Sequence, residues 1–118
     1  MKEMRSAEIW LYNNTYYIRA YSTTVVGLRI ALFNPIHVLR EGELDQLVPT
    51  LMKVLAECKF NIPHPDFRIK VRNEMLDVTG AKTEKNLMTK GKSVSIYLKK
   101  DILKVTPWYY DGKALSFS

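Results

Sequence analysis

Two kinds of side-chain periodicity follow one another along the chain, and their order restricts the fold more than any single motif. Apolar and polar residues alternate with the period of a β-strand near the N-terminus and again in the last third. Between them, apolar residues recur at helical spacing from about 43 to 58, where Pro49 indicates a kink or a helix start nearer Asp45. This order predicts an α+β fold: a mostly antiparallel β-sheet with one longer and two short helices packed to one side.

Turn and capping residues mark the borders of the predicted elements. Asn13-Asn14 suits a tight hairpin between strands at 8–12 and 15–21, and a third strand over 25–33 would bury alternate residues from 26 to 32. Asn73 and Thr83 are predicted helix N-caps, and Asp111-Gly112 is a hairpin-turn signal. The remaining predicted helices and strands are 74–79, 84–89, 93–99, 102–110 and 113–118. Pro107 predicts an edge or a bulge in its strand.

The composition indicates one domain spanning residues 1–118. The chain is 47% hydrophobic, unlike a disordered chain, yet no apolar run approaches the ~20 residues of a membrane span. Residues 1–6 lack the apolar core of a signal peptide. Cys58 is the single cysteine, so no intrachain disulfide can form, which fits a reducing compartment. We therefore expect a cytoplasmic protein with no membrane partner.

The positive charge is confined to one half of the chain. Residues 1–57 contain six basic and six acidic residues, whereas residues 58–118 contain twelve basic and six acidic ones, so the whole net charge of +6 lies in the second half. Glu41, Glu43 and Asp45 form an acidic cluster in the neutral half. This asymmetry predicts a two-faced molecule rather than a uniformly cationic one.

No sequence pattern predicts catalytic, cofactor-binding or metal-binding residues. Cys58, His37 and His64 lack ligand spacing, and the scattered glycines cannot build a phosphate-binding loop. Cys58 is interpreted as a small apolar residue that completes the long helix's buried face. A histidine-dependent ribonuclease toxin that uses His37 or His64 remains the enzymatic alternative.

A small basic nucleic-acid-binding protein is a further alternative. Arg68, Lys70 and Arg72 alternate, which places three cations on one face of an extended segment. More lysines follow, at positions 82, 85, 90, 92, 99 and 100. The same pattern is typical of a solvated lysine-rich face, and an acidic protein partner could also use it.

Consecutive aromatic residues give a signal for protein binding. Tyr16-Tyr17 and Tyr109-Tyr110 lie in predicted strands, where neighbouring side chains point to opposite faces. One member of each pair would therefore point away from a single core, and exposed tyrosines are common at interfaces.

A series of short segments, taken in order, resembles the immunity proteins of bacterial contact-dependent growth inhibition systems, the CdiI family. The segments that carry the resemblance are YYIRAYS at 16–22, VGLRI at 26–30, NP at 34–35, EL at 43–44, LDVTG at 76–80, KSVSIY at 92–97, TP at 106–107 and Gly112. Together they cover nearly the whole chain, and each is short and mostly structural.

The resemblance implies a cytoplasmic protein that is not an enzyme and needs no cofactor. Such proteins bind the C-terminal toxin domain of a cognate CdiA effector as a one-to-one heterodimer and neutralise it, and many of these toxins are nucleases, often directed at tRNA. The resemblance transfers no binding residues. Because the chain is basic, either the toxin is acidic or zwitterionic, or binding uses the neutral half. In that half, we predict that Glu41, Glu43 and Asp45 meet toxin cations or mimic phosphates, with Tyr16 and Tyr109 as further contacts.

Overall fold

The computed structural model describes residues 4–31, 34–65, 74–100, 102–110 and 115–117. The strands are β1 (Arg5–Tyr12), β2 (Thr15–Ala20), β3 (Ser22–Thr23), β4 (Arg29–Ile30), β5 (Ile36–Arg40), β6 (Lys92–Lys99), β7 (Ile102–Tyr110) and β8 (Leu115–Phe117). The helices are a 3-10 helix (Glu41–Gln46), α1 (Leu47–Ala56), α2 (Glu74–Thr79) and α3 (Glu84–Lys90). This architecture confirms the predicted α+β class, with a mostly antiparallel sheet, one longer helix and two short ones.

The main sheet has six antiparallel strands in the order β5-β2-β1-β6-β7-β8, and β3 and β4 form a separate two-stranded sheet. β1 lies inside the main sheet, where it pairs with β2 along one edge and with β6 along the other. Asn13 and Asn14 have φ angles of 50° and 58°, the left-handed conformation that a two-residue hairpin requires. The predicted first hairpin is therefore confirmed.

The helices cover both faces of this sheet, which corrects the expectation that they pack to one side. Ala7 and Ile9 of β1 point toward α1 and share a buried cluster with Val54. Trp10 and Tyr12 of the same strand share a second cluster with the buried residues of α2 and α3. Because successive side chains of a strand point to opposite faces, α1 covers one face and the two short helices cover the other. Simple alternation would make one face of β1 polar, but Trp10 and Tyr12 give that face the apolar surface against which α2 and α3 pack.

The predicted strand over 25–33 is wrong in its extent, because the chain turns back within it. The backbone N–H of Thr24 donates to the carbonyl of Leu28 at 2.8 Å, and the Thr24 hydroxyl accepts from the Leu28 N–H at 3.1 Å. Gly27 supports this turn with a φ of 88°. Val26 is consequently 68% exposed rather than buried, and Leu32 lies outside the described residues.

Strand β5 was not predicted from the sequence. It pairs antiparallel with β2, with Tyr16 opposite Leu39, and forms one edge of the main sheet. Only Leu39 of this strand is buried, so its short sequence carries little alternation. The position of β5 depends on β2. One edge of β2 pairs with β1, and its other edge provides the backbone groups with which β5 pairs.

The long helix begins later than its apolar pattern does. Glu43 has non-helical angles (φ −110°, ψ 20°), which mark a kink within the 3-10 helix before α1 begins at Leu47. Pro49 is the third residue of α1, in the first turn, where a backbone N–H has no intrahelical acceptor and proline is tolerated. The kink therefore precedes Pro49 instead of falling on it.

Local signals in the second half of the chain are confirmed where the structure describes the residues. The Thr83 hydroxyl accepts from the Asn86 N–H at 3.1 Å, as an N-cap does. Among the described residues, β8 pairs with β7 from Trp108 onward, so Pro107 has no described neighbour on that side, as at the predicted edge position. Asn73 and Asp111-Gly112 lie outside the described residues. No helix within the described ranges is long and apolar enough to cross a membrane.

We predict that Gly91→Ala destabilises the protein while Gly42→Ala does not. A Cβ at Gly91 would lie 2.6 Å from the Leu87 carbonyl oxygen and 3.2 Å from the Leu11 carbonyl oxygen, whereas a Cβ at Gly42 meets nothing within 4 Å. Backbone atoms must shift to accept the first methyl group, which we expect to cost about 1–3 kcal/mol. Urea unfolding of both variants measures the difference, and equal unfolding free energies would contradict the close approach of α3 to β1.

Candidate functional site

The three acidic residues predicted from sequence all lie on the 3-10 helix, but they are not equivalent. Glu41 and Asp45 are exposed. Glu43 is half-buried, and its Oε1 accepts a hydrogen bond from the Arg40 backbone N–H at 3.0 Å, which ties the start of this helix to the end of β5. Two of the three carboxylates are therefore open to a partner, and the third has a local structural contact.

Three exposed apolar side chains lie in and after this acidic segment. Leu44 belongs to the 3-10 helix and is 44% exposed, and Val48 and Met52 of α1 are 68% and 53% exposed. Val48 and Met52 are four residues apart, so they lie on the same side of α1. Glu41 and Asp45 lie beside the first of them. We call these five residues the acidic–apolar surface.

Sequence periodicity assigned these apolar residues to the buried stripe of the long helix. The structure divides that stripe, because Leu51, Val54 and Leu55 are buried against the sheet while Val48 and Met52 face solvent. The apolar side of the helix is wider than the contact that β1, β2 and β5 provide. An exposed apolar row flanked by carboxylates is suited to binding another protein rather than to catalysis.

Tyr16 and Tyr109 lie far apart in the sheet. Tyr16 is half-buried against the cluster beneath α1, in the strand next to β5, whose end continues into the 3-10 helix. Tyr109 lies in β7, and both β1 and β6 separate β7 from β2. At a strand spacing of about 4.8 Å this amounts to roughly 14 Å. The Tyr109 side chain lies outside what the structure describes. Of the two tyrosines, Tyr16 is the one near the acidic–apolar surface.

Tyr16 and Tyr17 point to opposite faces of the sheet, as expected, but neither side chain is exposed as a result. Tyr16 packs against the cluster under α1, and Tyr17 is buried in the cluster under α2 and α3. Both faces of the sheet carry a core, so opposite orientation does not expose either ring.

The two histidines lie in different environments. His37 Nε2 lies 2.8 Å from Glu57 Oε1, a contact that joins β5 to the end of α1. His64 is an exposed residue of the loop that follows Asn61. Within the described ranges, no group of three His, Cys, Asp or Glu side chains is placed to hold a metal ion.

A cavity of about 500 Å³ lies at the turn between β6 and β7. It is lined by Met4, Arg29, Tyr97, Lys99, Lys100, Ile102 and Lys104. Lys100 has a φ of 56°, so the short turn brings the lysines at the ends of both strands to one opening. The Arg29 guanidinium lies 5.5 Å from the centre of the Tyr97 ring. We call this the cationic cavity, and it contains no histidine among its described lining residues.

Only part of the lining of this cavity could be predicted from the sequence. Lys99 and Lys100 were counted among the candidate cations, whereas Met4 and Arg29 come from the other half of the chain. The alternating cations at 68, 70 and 72 lie outside the described residues. The one local clue to the cavity was a pair of lysines at the end of a predicted strand.

A buried polar network lies on the face of the sheet that α2 and α3 cover. Glu8 accepts a hydrogen bond from Trp10 Nε1 at 2.6 Å and another from Arg19 Nη2 at 3.3 Å. Arg19 Nη1 also lies 3.6 Å from Glu74 Oε1 at the start of α2. The network links β1, β2 and α2, and pattern analysis missed it because charged residues in strands are ordinarily assigned to solvent.

Burial changes the acidity of two groups in the core. Burial raises the pKa of the Tyr21 phenol, and the Glu8 carboxylate raises it further. Burial likewise raises the pKa of the Cys58 thiol, whose Sγ donates to the Ser6 carbonyl at 3.1 Å. Cys58 belongs to the buried cluster under α1, as the sequence predicted. A neutral, buried thiol is a poor nucleophile.

Comparison with known proteins gives a fold relationship. The sequence matches no protein-family model and no curated protein. The structure is similar to a protein of unknown function from Neisseria meningitidis, with a TM-score of 0.72 and 17% identity, over 100% of this chain and 80% of that one. It is also similar to a chain of a CdiA-CT/CdiI toxin and immunity complex from Yersinia pseudotuberculosis, with a TM-score of 0.67 and 15% identity, over 97% of this chain and 79% of that one. The chain thus has a fold found in a toxin–immunity complex.

We predict that stability falls on the alkaline side in two separable steps. A raised folded-state pKa means that the folded protein retains its proton longer, so the stabilisation is complete below the unfolded pKa and is lost as the pH rises through the folded pKa. For Cys58 the loss begins near the ordinary value of 9.0, and for Tyr21 near 10.0. Each group contributes a slope of at most about 1.4 kcal/mol per pH unit.

Urea unfolding as a function of pH measures these slopes. Cys58→Ala should flatten the decline from its onset, whereas Tyr21→Phe should flatten only the part above the ordinary tyrosine value of 10.0. Identical pH profiles for Cys58→Ala and the unmodified protein would show that the thiol is not the group that titrates.

Proposed function

We propose that this protein is an immunity protein that binds the C-terminal toxin domain of a cognate CdiA-type effector in a one-to-one complex and neutralises it. The observation that carries the proposal is the fold likeness, over 97% of the chain, to a chain of a CdiA-CT/CdiI toxin and immunity complex. The short segments that resemble the CdiI family support the same assignment.

The acidic–apolar surface has the composition expected of a toxin-binding site. A toxin that acts on nucleic acid presents cations to phosphates, and the carboxylates of Glu41 and Asp45 carry the opposite charge. Leu44, Val48 and Met52 supply an apolar centre that becomes dry on contact, and the carboxylates form its polar rim. This combination explains how a protein with a net charge of +6 can bind a cationic partner, because the binding charge is local.

An inhibitory rather than catalytic role is supported by the environments of the possible catalytic groups. Cys58 is buried and the pKa of its thiol is raised, which makes it a poor nucleophile. The cationic cavity combines no histidine with its cations among the described residues. A histidine-dependent ribonuclease would need its histidines and phosphate-binding cations in one cleft.

Co-expression with the C-terminal toxin domain of the cognate CdiA-type effector tests the proposal. We expect the cells to survive expression of this domain and the two proteins to co-purify in equal amounts. Toxicity that persists in the presence of soluble protein, together with failure to co-purify, would refute the immunity role.

We predict that Val48→Lys weakens toxin binding by at least about 30-fold, because a buried anchor at an interface contributes about 2 kcal/mol or more. Val26→Lys is the matched control, since both valines are 68% exposed and the same charge is introduced. Binding is measured by calorimetry with a catalytically inactive toxin domain. Equal weakening by both variants would place the interface elsewhere.

We also predict that the double reversal Glu41→Lys/Asp45→Lys slows toxin association by about 10-fold or more at low salt, with a smaller effect at high salt. The control Asp77→Lys/Glu84→Lys makes the same change in net charge on α2 and α3, at the other face of the sheet. Stopped-flow association rates compare the two variants. An unchanged rate for the first variant would exclude the acidic residues from the encounter.

A further inference from the structure

The cationic cavity and the acidic–apolar surface lie on opposite faces of the main sheet, because Tyr97 pairs with Ser6, whose side chain points away from the face that α1 covers. The cavity also lies at the opposite end of β1 from the acidic end of that surface. Leu98, next to the β6–β7 turn, pairs with Arg5 at the start of β1. Tyr12, at the end of β1, pairs with Thr15, which in turn pairs with Arg40 before the 3-10 helix. Seven residue steps at about 3.3 Å each separate the two ends by roughly 23 Å. The cavity is therefore a separate site, and what it binds does not depend on the proposed toxin-binding surface.

Four cations converge on the cavity without a described counter-charge. They are Arg29, Lys99, Lys100 and Lys104. None of them forms an ion pair with another described residue, and none of the described lining residues is acidic. Convergent like charges repel one another, and the repulsion is relieved when an anion binds between them. Asp101, which follows Lys100 in the sequence, lies outside the described residues, and its one carboxylate would offset only one of the four charges. A polyphosphate would offset three or four.

The cavity also offers an apolar surface beside these charges. Met4, Tyr97 and Ile102 contribute it, and the Arg29 guanidinium is positioned by its stacking over the Tyr97 ring at 5.5 Å. The volume of about 500 Å³ is within the range of cavities that hold small organic ligands. An arginine plane next to apolar side chains is a suitable platform for a flat heterocycle.

We propose that this cavity binds a nucleoside di- or triphosphate. The phosphate chain lies among Lys99, Lys100 and Lys104, where it neutralises their mutual repulsion. The base lies against Met4 and Ile102, next to the guanidinium of Arg29. Charge alone would attract any polyanion, so the apolar surface is what distinguishes a nucleotide from inorganic phosphate.

A series of ligands separates the contribution of phosphate charge from the contribution of the apolar surface. Calorimetry at one fixed ionic strength compares ATP, ADP, AMP, adenosine and inorganic tripolyphosphate. We expect affinity to fall by about 10-fold or more from ATP to AMP and adenosine binding to be undetectable, because phosphate charge supplies most of the attraction. Tripolyphosphate should bind about 10-fold more weakly than ATP. Equal binding of tripolyphosphate and ATP, or no saturable binding of ATP, would overturn the proposal.

Matched variants locate the binding site. Lys99→Gln/Lys104→Gln removes two charges from the cavity, and Lys85→Gln/Lys90→Gln removes two exposed charges from α3. The first pair should weaken ATP binding by about 10-fold or more, and the second should change it less than about 2-fold. Equal effects would show that only the net charge matters. Both variants should protect cells from the toxin domain as the unmodified protein does, because the two sites are separate.

Tyr97→Leu tests the apolar part of the cavity. It removes the ring on which Arg29 rests while retaining apolar volume. We expect weaker binding of ATP with unchanged binding of tripolyphosphate, a difference that general destabilisation would not produce. A single-stranded RNA oligonucleotide is the final probe. Tight binding of the RNA that depends on Lys99 and Lys104, with no binding of ATP, would overturn the proposal in favour of nucleic-acid binding.

Discussion

The fold depends on β1, which pairs along both edges and buries side chains on both faces. Ala7 is fully buried on the side of α1, and Trp10 is 8% exposed on the side of α2 and α3. A strand enclosed in this way permits one register, because a shift by a single residue would exchange its two sets of side chains. The order of the other strands follows from this constraint: β2 and β6 occupy its edges, and β5 and β7 lie beyond them.

The two faces around this strand are held by different interactions. The face under α1 is an apolar cluster, in which Val54 is fully buried. The other face combines Trp10 and Tyr12 with the buried ion pair of Glu8 and Arg19, at 3.3 Å, and Glu74 extends the pair to α2. Loss of one partner from such a pair leaves an uncompensated charge in the interior, so the pair restricts where α2 can sit on the sheet.

The sheet around β1 also separates the two candidate binding surfaces. The acidic–apolar surface lies on the side of α1, whose exposed apolar residues the sheet does not cover, and its acidic end is near the C-terminal end of β1. The cationic cavity lies near the N-terminal end of that strand, where the β6–β7 turn gathers lysines and Arg29 joins them from the neutral half of the chain. A chain with a net charge of +6 therefore carries both an acidic surface suited to a cationic protein and a cationic cavity suited to an anion.

Features that depend on neighbouring residues in the chain could be predicted from the sequence. The Asn13-Asn14 turn, the Thr83 cap and strands β6 and β7 express local backbone preferences and side-chain alternation. Burial could not be predicted in the same way, because it depends on which distant elements arrive at each surface. Periodicity grouped Val48 with Leu51, but only the width of the sheet contact leaves Val48 exposed and Leu51 buried. Three further features depend on distant elements in the same way and could not be predicted from local sequence. They are the pairing of strand β5, the burial of Tyr17 beneath the short helices, and the contact of Arg29 with Tyr97. The sequence by itself determined the local turns, the helix cap, most of the elements and the acidic segment at 41–45. Long-range packing determined where β5 lies and which side chains of that segment are free to bind.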